Sequence, residues 1–388
     1  MMCLEKAGNY VLEQLELAGF EAYIVGGAVR DKLMDVSIRD IDICTNASME
    51  DIKQIFPRCI DVGVQHGTII IPVSGHAIEV SEFKSKDVNH NKTIQNDLAL
   101  RDFTCNALAL TSSGEIIDPF GGKSDITNRI LKVVDQSETT FLDDPLRLLR
   151  GIRFSIQYNF IIDSFTEKLL EKQANMIKEP AVERLANEFE KLARHGLSNK
   201  DLKYLLTHKV IEELSNLFPQ KNIILSALTT SVGELTIKGS LEWWSLAAFS
   251  SDQHRAQKVL KTYKRSNQLI KDVLKIVTIV NEGLSDTIND YHIYQLGDRR
   301  IAAAEKLYHF LSPGKPAVNL TDRYDKLPIK NKGELVITGN NLIHWFPNKT
   351  GSWFGETMKK IEKAVILQQV KNDEDQIYHW LKKESQSC

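Results

Sequence analysis

The chain has 388 residues, 42% hydrophobic and 26% charged, with 49 Lys+Arg against 51 Asp+Glu and a formal charge of −2. This is the composition of an ordinary globular protein, at roughly 100–200 residues per domain a multidomain one, and it excludes disordered and fibrous classes. No run approaches the roughly 20 apolar residues that cross a bilayer, the N-terminus MMCLEKAGNY lacks a signal-peptide pattern, and the five scattered cysteines suit a reducing cytoplasm rather than a disulfide framework.

In chain order, the first 135 residues read as short β-rich runs separated by Gly, Asn and Asp turns: EAYIV (21–25), DIDIC (40–44), GTIIIPV (67–73), HAIEVSEF (76–83), EIID (115–118) and ILKVV (130–134). Two helices interrupt them. One runs from Ala28; the other starts at Ser48 with Asp51 three residues on, a capping-box-like start. Beyond residue 140 the spacing is helical, as in FTEKLLEKQANMI and AVERLANEFEKLARHG, which Gly196 closes. An α/β head followed by an all-α remainder is expected.

The near-neutral sum gives no hint of a polyanion partner, but it hides an asymmetry. Residues 1–128 hold 11 basic and 19 acidic side chains, and residues 129–388 hold 38 and 32. A metal-using head on a polyanion-gripping body has this form, and so do solvated helix faces; charge alone leaves both open.

The segment YIVGGAVRDKLMDVSIRDIDIC carries the first chemistry. A buried-type strand enters Gly26-Gly27, and Arg30 and Asp31 follow on the opening turn of a helix. Such a turn permits close backbone approach and presents N–H groups, a plausible triphosphate cradle. In a strand, residues i and i+2 share a face, so Asp40 and Asp42 stand side by side with Ile41 and Ile43 turned to a core. Hard, like-charged oxygens at that spacing suit Mg²⁺, and so positioned the ion can activate a hydroxyl and stabilise a leaving pyrophosphate. A lone D-x-D is equally the mark of a solvated strand edge. Alternation in HAIEVSEF makes Glu79 a candidate third carboxylate.

GGAVRD, the spacing to DID, RDFTCNALAL (101–110), DPFGG (118–122), DDPLRLLRGIRF (143–154) and AVERLANEFEKLAR (181–194) stand in the order of five motifs. In this the chain resembles the class II tRNA nucleotidyltransferases and bacterial poly(A) polymerases. The resemblance implies a polymerase-β-like head with a mixed sheet over residues 1–137. It further implies a helical neck that recognises the base (138–205) and a helical body and tail that bind tRNA (206–388). It assigns the catalytic metals to Asp40 and Asp42 and a third catalytic carboxylate to Glu79. Gly27, Arg30, Arg101, Asp102 and Asn106 fall on positions that handle the nucleotide, and Arg184 on the last motif, which supports the nucleotide pocket. The family usually shows two arginines before that Asp; this chain has Leu100-Arg101.

LDDPLRLLRGIRF also admits a direct chemical reading. On one helix Asp144, Arg147, Arg150 and Arg153 advance by three and form a ridge. An acceptor beside a donor complements the edge shared by cytosine and adenine and rejects that of guanine and uracil. An i,i+3 surface ion pair, worth only a few tenths of a kcal/mol, is the bland alternative. The resemblance gives Asp144 and Arg147 the base-reading role and Arg150 and Arg153 phosphate contacts. Asp143-Asp144 replaces the family's frequent Glu-Asp.

The stretch at 84–98, opening with Lys84 where relatives commonly have Arg, is short for the family. Relatives truncated there resemble CC-adding enzymes, which stop after two cytidines and leave the last A to a separate A-adding enzyme. The reading therefore leans to CC addition from CTP, with full CCA addition from CTP and ATP as the alternative, then A addition or poly(A) synthesis. A non-catalytic RNA-binding protein would have lost a metal carboxylate. Lys258, Lys261, Lys264 and Arg265 at helical spacing could track acceptor-stem phosphates or form a solvated face. The ten histidines show no metal-ligand spacing.

Overall fold

The computed structural model describes residues 3–61, 67–85, 92–214, 216–230, 235–313, 315 and 318–386. The chain forms two compact units, Met1–Glu188 and Phe189–Cys388.

The first unit is built on a seven-stranded mixed sheet. Its strands are β1 (Ala22–Val25), β2 (Ile41–Thr45), β3 (Ile60–Asp61), β4 (Thr68–Val73), β5 (His76–Glu82), β6 (Ala109–Leu110) and β7 (Ile116–Ile117), in the order β3-β4-β5-β2-β1-β6-β7. Only β2 and β5 are parallel; their register sets Asp42 beside Glu79. Alternation divides the two faces. Ile24, Ile41, Ile43, Ile78 and Val80 are buried, and helix α1 (Leu4–Leu17) lies against β1, β2 and β5. A Cβ at Gly8 would come within 2.8 Å of the end of the Ile41 side chain, so glycine here lets α1 lie close to the sheet. On the other face Val25, Cys44 and Phe83 pack with Ile94 and Leu98 of helix α4 (Ile94–Ala99), whereas Asp42 and Glu79 are exposed.

The other helices of this unit include α2 (Gly27–Leu33) and α3 (Met49–Ile55); the Ser48–Asp51 capping box opens α3 as the spacing predicts. They continue with α5 (Gly122–Thr127), α6 (Thr140–Asp143), α7 (Leu146–Tyr158) and α8 (Ser164–Lys172). Helix α9 covers Val182–His195, and Gly196 follows it at φ +98°. The run ILKVV yields strand only at Ile130–Leu131, which pairs with Ile161–Ile162; Val133 instead bridges Phe103.

The DPFGG motif is a packing device. Asp118 accepts the N–H groups of Gly122 (2.7 Å) and Lys123 (2.9 Å), capping α5. A Cβ on Gly122 would lie 2.1 Å from the Thr104 carbonyl oxygen. The motif thus seats α5 directly on the turn that carries Asn106.

The second unit is helical. Trp243, Trp244, Phe189, Phe218 and Tyr263 pack ring to ring at its centre. The basic run there does not form one face. Helix Gln253–Thr262 carries exposed Lys258 and Lys261 but ends before Lys264, which has φ +50°. Arg265 turns inward to Glu190 at 2.6 Å and lies 5.2 Å from the Trp244 ring.

Candidate active site

The site lies where β1 and β2 meet the turn after β1. Asp42 projects from β2 beside Glu79 on β5. Asp40 precedes β2 rather than lying in it, since the strand begins at Ile41. The i, i+2 argument for the pair therefore does not hold in its strict form, although the two charges still act on each other. Asp42 is open to solvent, yet enough protein surrounds it that lost hydration is the main cause pushing its carboxyl up to about 6. Glu79 and then Asp40 push the same way, and Arg101 pulls against them. A divalent cation would relieve that repulsion. Among the described residues no three His, Cys, Asp or Glu side chains form a ready-made metal cage. One or two carboxylates completed by water and substrate phosphates are the usual Mg²⁺ donor set, and Asp40 and Asp42 have that chemistry.

Arg101 is the cation that acts on Asp42. Gly26, at φ +69°, brings the backbone against its guanidinium: a Cβ there would stand 2.6 Å from Nη1. Arg101 is held by buried Asp97, which accepts from Nη2 at 2.9 Å and Nε at 3.2 Å. Asp97 also accepts the Lys84 N–H at 3.1 Å, so it ties the start of the 84–98 stretch to Arg101 just beyond its end. Residues 86–91 of that stretch lie outside the described residues, and Ile94–Ala99 is helix, N-capped by Thr93. Asp97 lies outside the motifs recognised in the sequence, although its position four residues before Arg101 is the spacing of a helical ion pair.

The remaining arginines are mostly internal. Arg30 is buried. It donates to Asp31 (2.7 Å), Asn106 Oδ1 (2.5 Å) and the Tyr158 hydroxyl (2.6 Å), and it lies 4.3 Å from the Tyr158 ring centre. Gly27, beside it, is half-buried. Asn106 in turn donates to Asp102 at 2.9 Å, and Asp102 accepts from Arg150 Nε (2.7 Å) and Nη2 (2.6 Å) and from the Phe103 N–H (2.8 Å). Burial alone would raise the Asp102 carboxyl, but Arg150 and these hydrogen bonds outweigh it and hold it at about 2. Arg153, also buried, donates to Glu188 at 2.6 Å and lies 4.1 Å from the Phe154 ring centre. The expected phosphate ligands Arg30 and Arg153 are thus enclosed by the unit, a placement that the linear spacing does not reveal.

The ridge Asp144–Arg147–Arg150–Arg153 is broken at its first member. Pro145 disfavours helix in the residue before it, Asp144 is extended (φ −151°, ψ 97°), and α7 starts at Leu146. The Asp144 carboxylate receives both Nη groups of Arg184, at 2.9 and 3.2 Å. Arg147 donates instead to the carbonyls of Leu100 (2.5 Å) and Thr140 (3.3 Å). The side chains of Asp144 and Arg147 therefore do not pair, although the Arg147 N–H donates to the Asp144 carbonyl at 3.0 Å, and Arg147 is anchored on the residue preceding Arg101.

Residues 22–132 match the family described as poly A polymerase head domain, and residues 235–381 match tRNA nucleotidyltransferase domain 2. The chain is 32% identical over 389 residues to the CCA-adding enzyme of Bacillus cereus strain AH187, covering 97% of this chain and 98% of the relative. It is 35% identical to that of Anoxybacillus flavithermus, covering 95% of each. It superposes on the crystal structure of the Bacillus stearothermophilus CCA-adding enzyme in complex with CTP with TM-score 0.82, at 30% identity, over 100% of this chain and 99% of that one.

Proposed function

The chain belongs to the class II tRNA nucleotidyltransferase and poly(A) polymerase family, and we propose that within it the protein adds the complete CCA end to tRNA from CTP and ATP. The observation that carries this reading is Asp42 set beside Glu79 and acted on by Arg101, which lies against the Gly26 turn. The name CCA-adding enzyme, shared by relatives across almost the whole chain, favours full CCA addition. It turns the reading away from the lean towards CC addition that the short 84–98 stretch suggested, and from the separate A-adding enzyme that lean required.

In this proposal residues 1–137 are the catalytic head, 138–205 the base-reading neck and 206–388 the tRNA-binding body and tail. Asp40 and Asp42, with Glu79 beside them, would hold Mg²⁺. When bound, the ion would polarise the terminal hydroxyl and neutralise charge on the departing pyrophosphate. Arg101 would offer its outward donors to the triphosphate, with the Gly27 backbone below it. Arg30, Asn106, Asp102 and Arg150 act as the rigid support of that surface, since their polar groups already satisfy one another, and Arg153 is held beside them by Glu188 and Gln157. Asp144 would accept the amino group of cytosine or adenine and Arg147 would donate to the adjacent ring nitrogen. Arg184 would then give up part of its hold on Asp144. Work on tRNA also agrees with a cytoplasmic protein. No helix among the described residues is long and apolar enough to cross a membrane.

The test is incubation of the purified protein with tRNA lacking its 3′ end, with CTP alone, ATP alone and both, with and without Mg²⁺. Extension by three nucleotides ending in A, only when both triphosphates and Mg²⁺ are present, is the expected result. Arrest after two cytidines with both present would restore CC addition, and absence of any extension would refute the function.

A further inference from the structure

We propose that Arg299, Arg300 and Lys275 form a binding site for a backbone phosphate of the RNA substrate, organised by the buried carboxylate of Asp272. The inference rests on the tRNA reading above and locates one point of contact on the second unit.

Asp272 lies in the helix Asn267–Leu284 and is fully buried. One of its oxygens accepts from Arg300 Nε at 2.6 Å and Nη2 at 2.5 Å, and from Gln268 at 3.0 Å. The other accepts from Arg299 Nη2 at 2.5 Å. A buried carboxylate needs compensation, and Arg300, itself mostly buried and also bonded to the Leu296 carbonyl, supplies one full charge. Arg299 is a second cation on the same carboxylate, and its side chain is 66% exposed. Among the described residues its Nε and Nη1 make no hydrogen bond, so the contact with Asp272 fixes the guanidinium while leaving donors to solvent.

Lys275 adds to the surplus. It is exposed, donates to the Gln295 carbonyl at 2.8 Å, and its ammonium is pushed down, by lost hydration first and by Arg300 next. Lys271 is exposed one turn earlier on the same helix. Three cations, Arg299, Arg300 and Lys275, thus act on the single carboxylate of Asp272, and exposed Asp298 opens the helix that carries both arginines. An internal ion pair would be complete with Arg300 alone. A held, outward guanidinium beside a second crowded cation is the arrangement that accepts phosphate oxygens. A tRNA backbone supplies such oxygens independently of sequence.

Arg299→Ala and Lys275→Ala are exposed changes that leave the Asp272–Arg300 pair intact. Binding of tRNA is measured between about 50 and 200 mM salt, with thermal unfolding and CTP affinity in the absence of tRNA as controls. Each variant is expected to weaken tRNA binding about tenfold at low salt and to lower the slope of log K against log salt by about one. Melting temperature and CTP affinity should stay at the wild-type values, and Arg299→Lys should recover most of the loss. Wild-type tRNA affinity and salt slope in both alanine variants would overturn the site. If the wild-type protein itself neither binds nor extends tRNA, the functional reading fails instead.

Discussion

Replacing Asp102 with Asn should uncouple the head from helix α7, which carries Arg147 and Arg150, and the cost can be worked from the site. The carboxyl is held at about 2, against an ordinary value of 3.8. At about 1.36 kcal/mol per pKa unit, that shift corresponds to roughly 2 kcal/mol of native-state stability. The side chain is only 6% exposed, so solvent screens little of this. The substitution also leaves Arg150 with Glu188 at 3.9 Å as its remaining acidic partner. Removing one member of a buried pair costs roughly 3–5 kcal/mol, and about 3 kcal/mol is the expected total. For a unit of this size that is a fall in melting temperature of roughly 6–12 °C. The sign with pH follows from the lowered native pKa. The contribution is complete above the unfolded value near 3.8 and is lost only as pH falls through about 2. The gap between wild type and variant, followed by circular dichroism melting, should therefore be the same at pH 8 and pH 5. A variant melting within 2 °C of wild type, or a gap already closing between pH 7 and 5, would refute the assignment of Asp102 as the charged centre of the network.

Asp42→Asn should abolish nucleotide addition yet raise the melting temperature at pH 8, because the native carboxyl is pushed up to about 6 and its charge is a burden above that pH; the gain should shrink as pH falls from 6 towards 4, and a less stable variant at pH 8 would contradict it. For the same reason activity should fall below about pH 6 at low Mg²⁺, and the acid limb should move to lower pH as Mg²⁺ is raised; a limb indifferent to Mg²⁺ would separate Asp42 from the metal. Gly122→Ala should cost about 3 kcal/mol in urea unfolding or prevent folding, since a Cβ at 2.1 Å from a main-chain oxygen can be relieved only by moving backbone. Asp144→Ala should relax discrimination against UTP and GTP, scored by misincorporation, with tRNA affinity kept; unchanged selectivity would remove it from base reading.

Local physics made some of this legible in the sequence and tertiary packing hid the rest. Period-two alternation is a property of each strand by itself, so the exposure of Glu79 between buried Ile78 and Val80 could be read directly. The Ser48 capping box is equally local. The break at Asp144 is also available, because Pro145 disfavours helix in its predecessor, but helical periodicity alone carries the helix two residues beyond its start at Leu146. Alternation alone likewise places Asp40 inside a strand that starts one residue later. What spacing could not supply was which face each arginine turns inward. Arg30 meets Asn106 and Tyr158 across 76 and 128 residues of chain, and Arg150 meets Asp102 across 48. Pattern alone makes a phosphate ligand and an internal counterion look alike.

The distinction changes how the acidic side chains of the first unit are to be understood. Asp31, Asp97, Asp102 and Glu188 each pair at 2.6–2.9 Å with Arg30, Arg101, Arg150 and Arg153, respectively. Guanidinium groups suit these enclosed positions because they stay charged and their donors bridge two acceptors at once. These four carboxylates are therefore compensated within the scaffold. Asp42 is pushed the opposite way, up to about 6, by lost hydration and by Glu79 and Asp40. Asp42 and Asp102 are thus carboxylates of one unit with opposite shifts, one destabilised when charged and one stabilised. That contrast, rather than the net count of acidic residues, separates the carboxylate suited to recruiting a cation from the one that holds the fold. Arg101 belongs to both sets, since it is held by Asp97 while acting on Asp42. Through Asp97 it joins the support of the head to the group expected to meet the triphosphate.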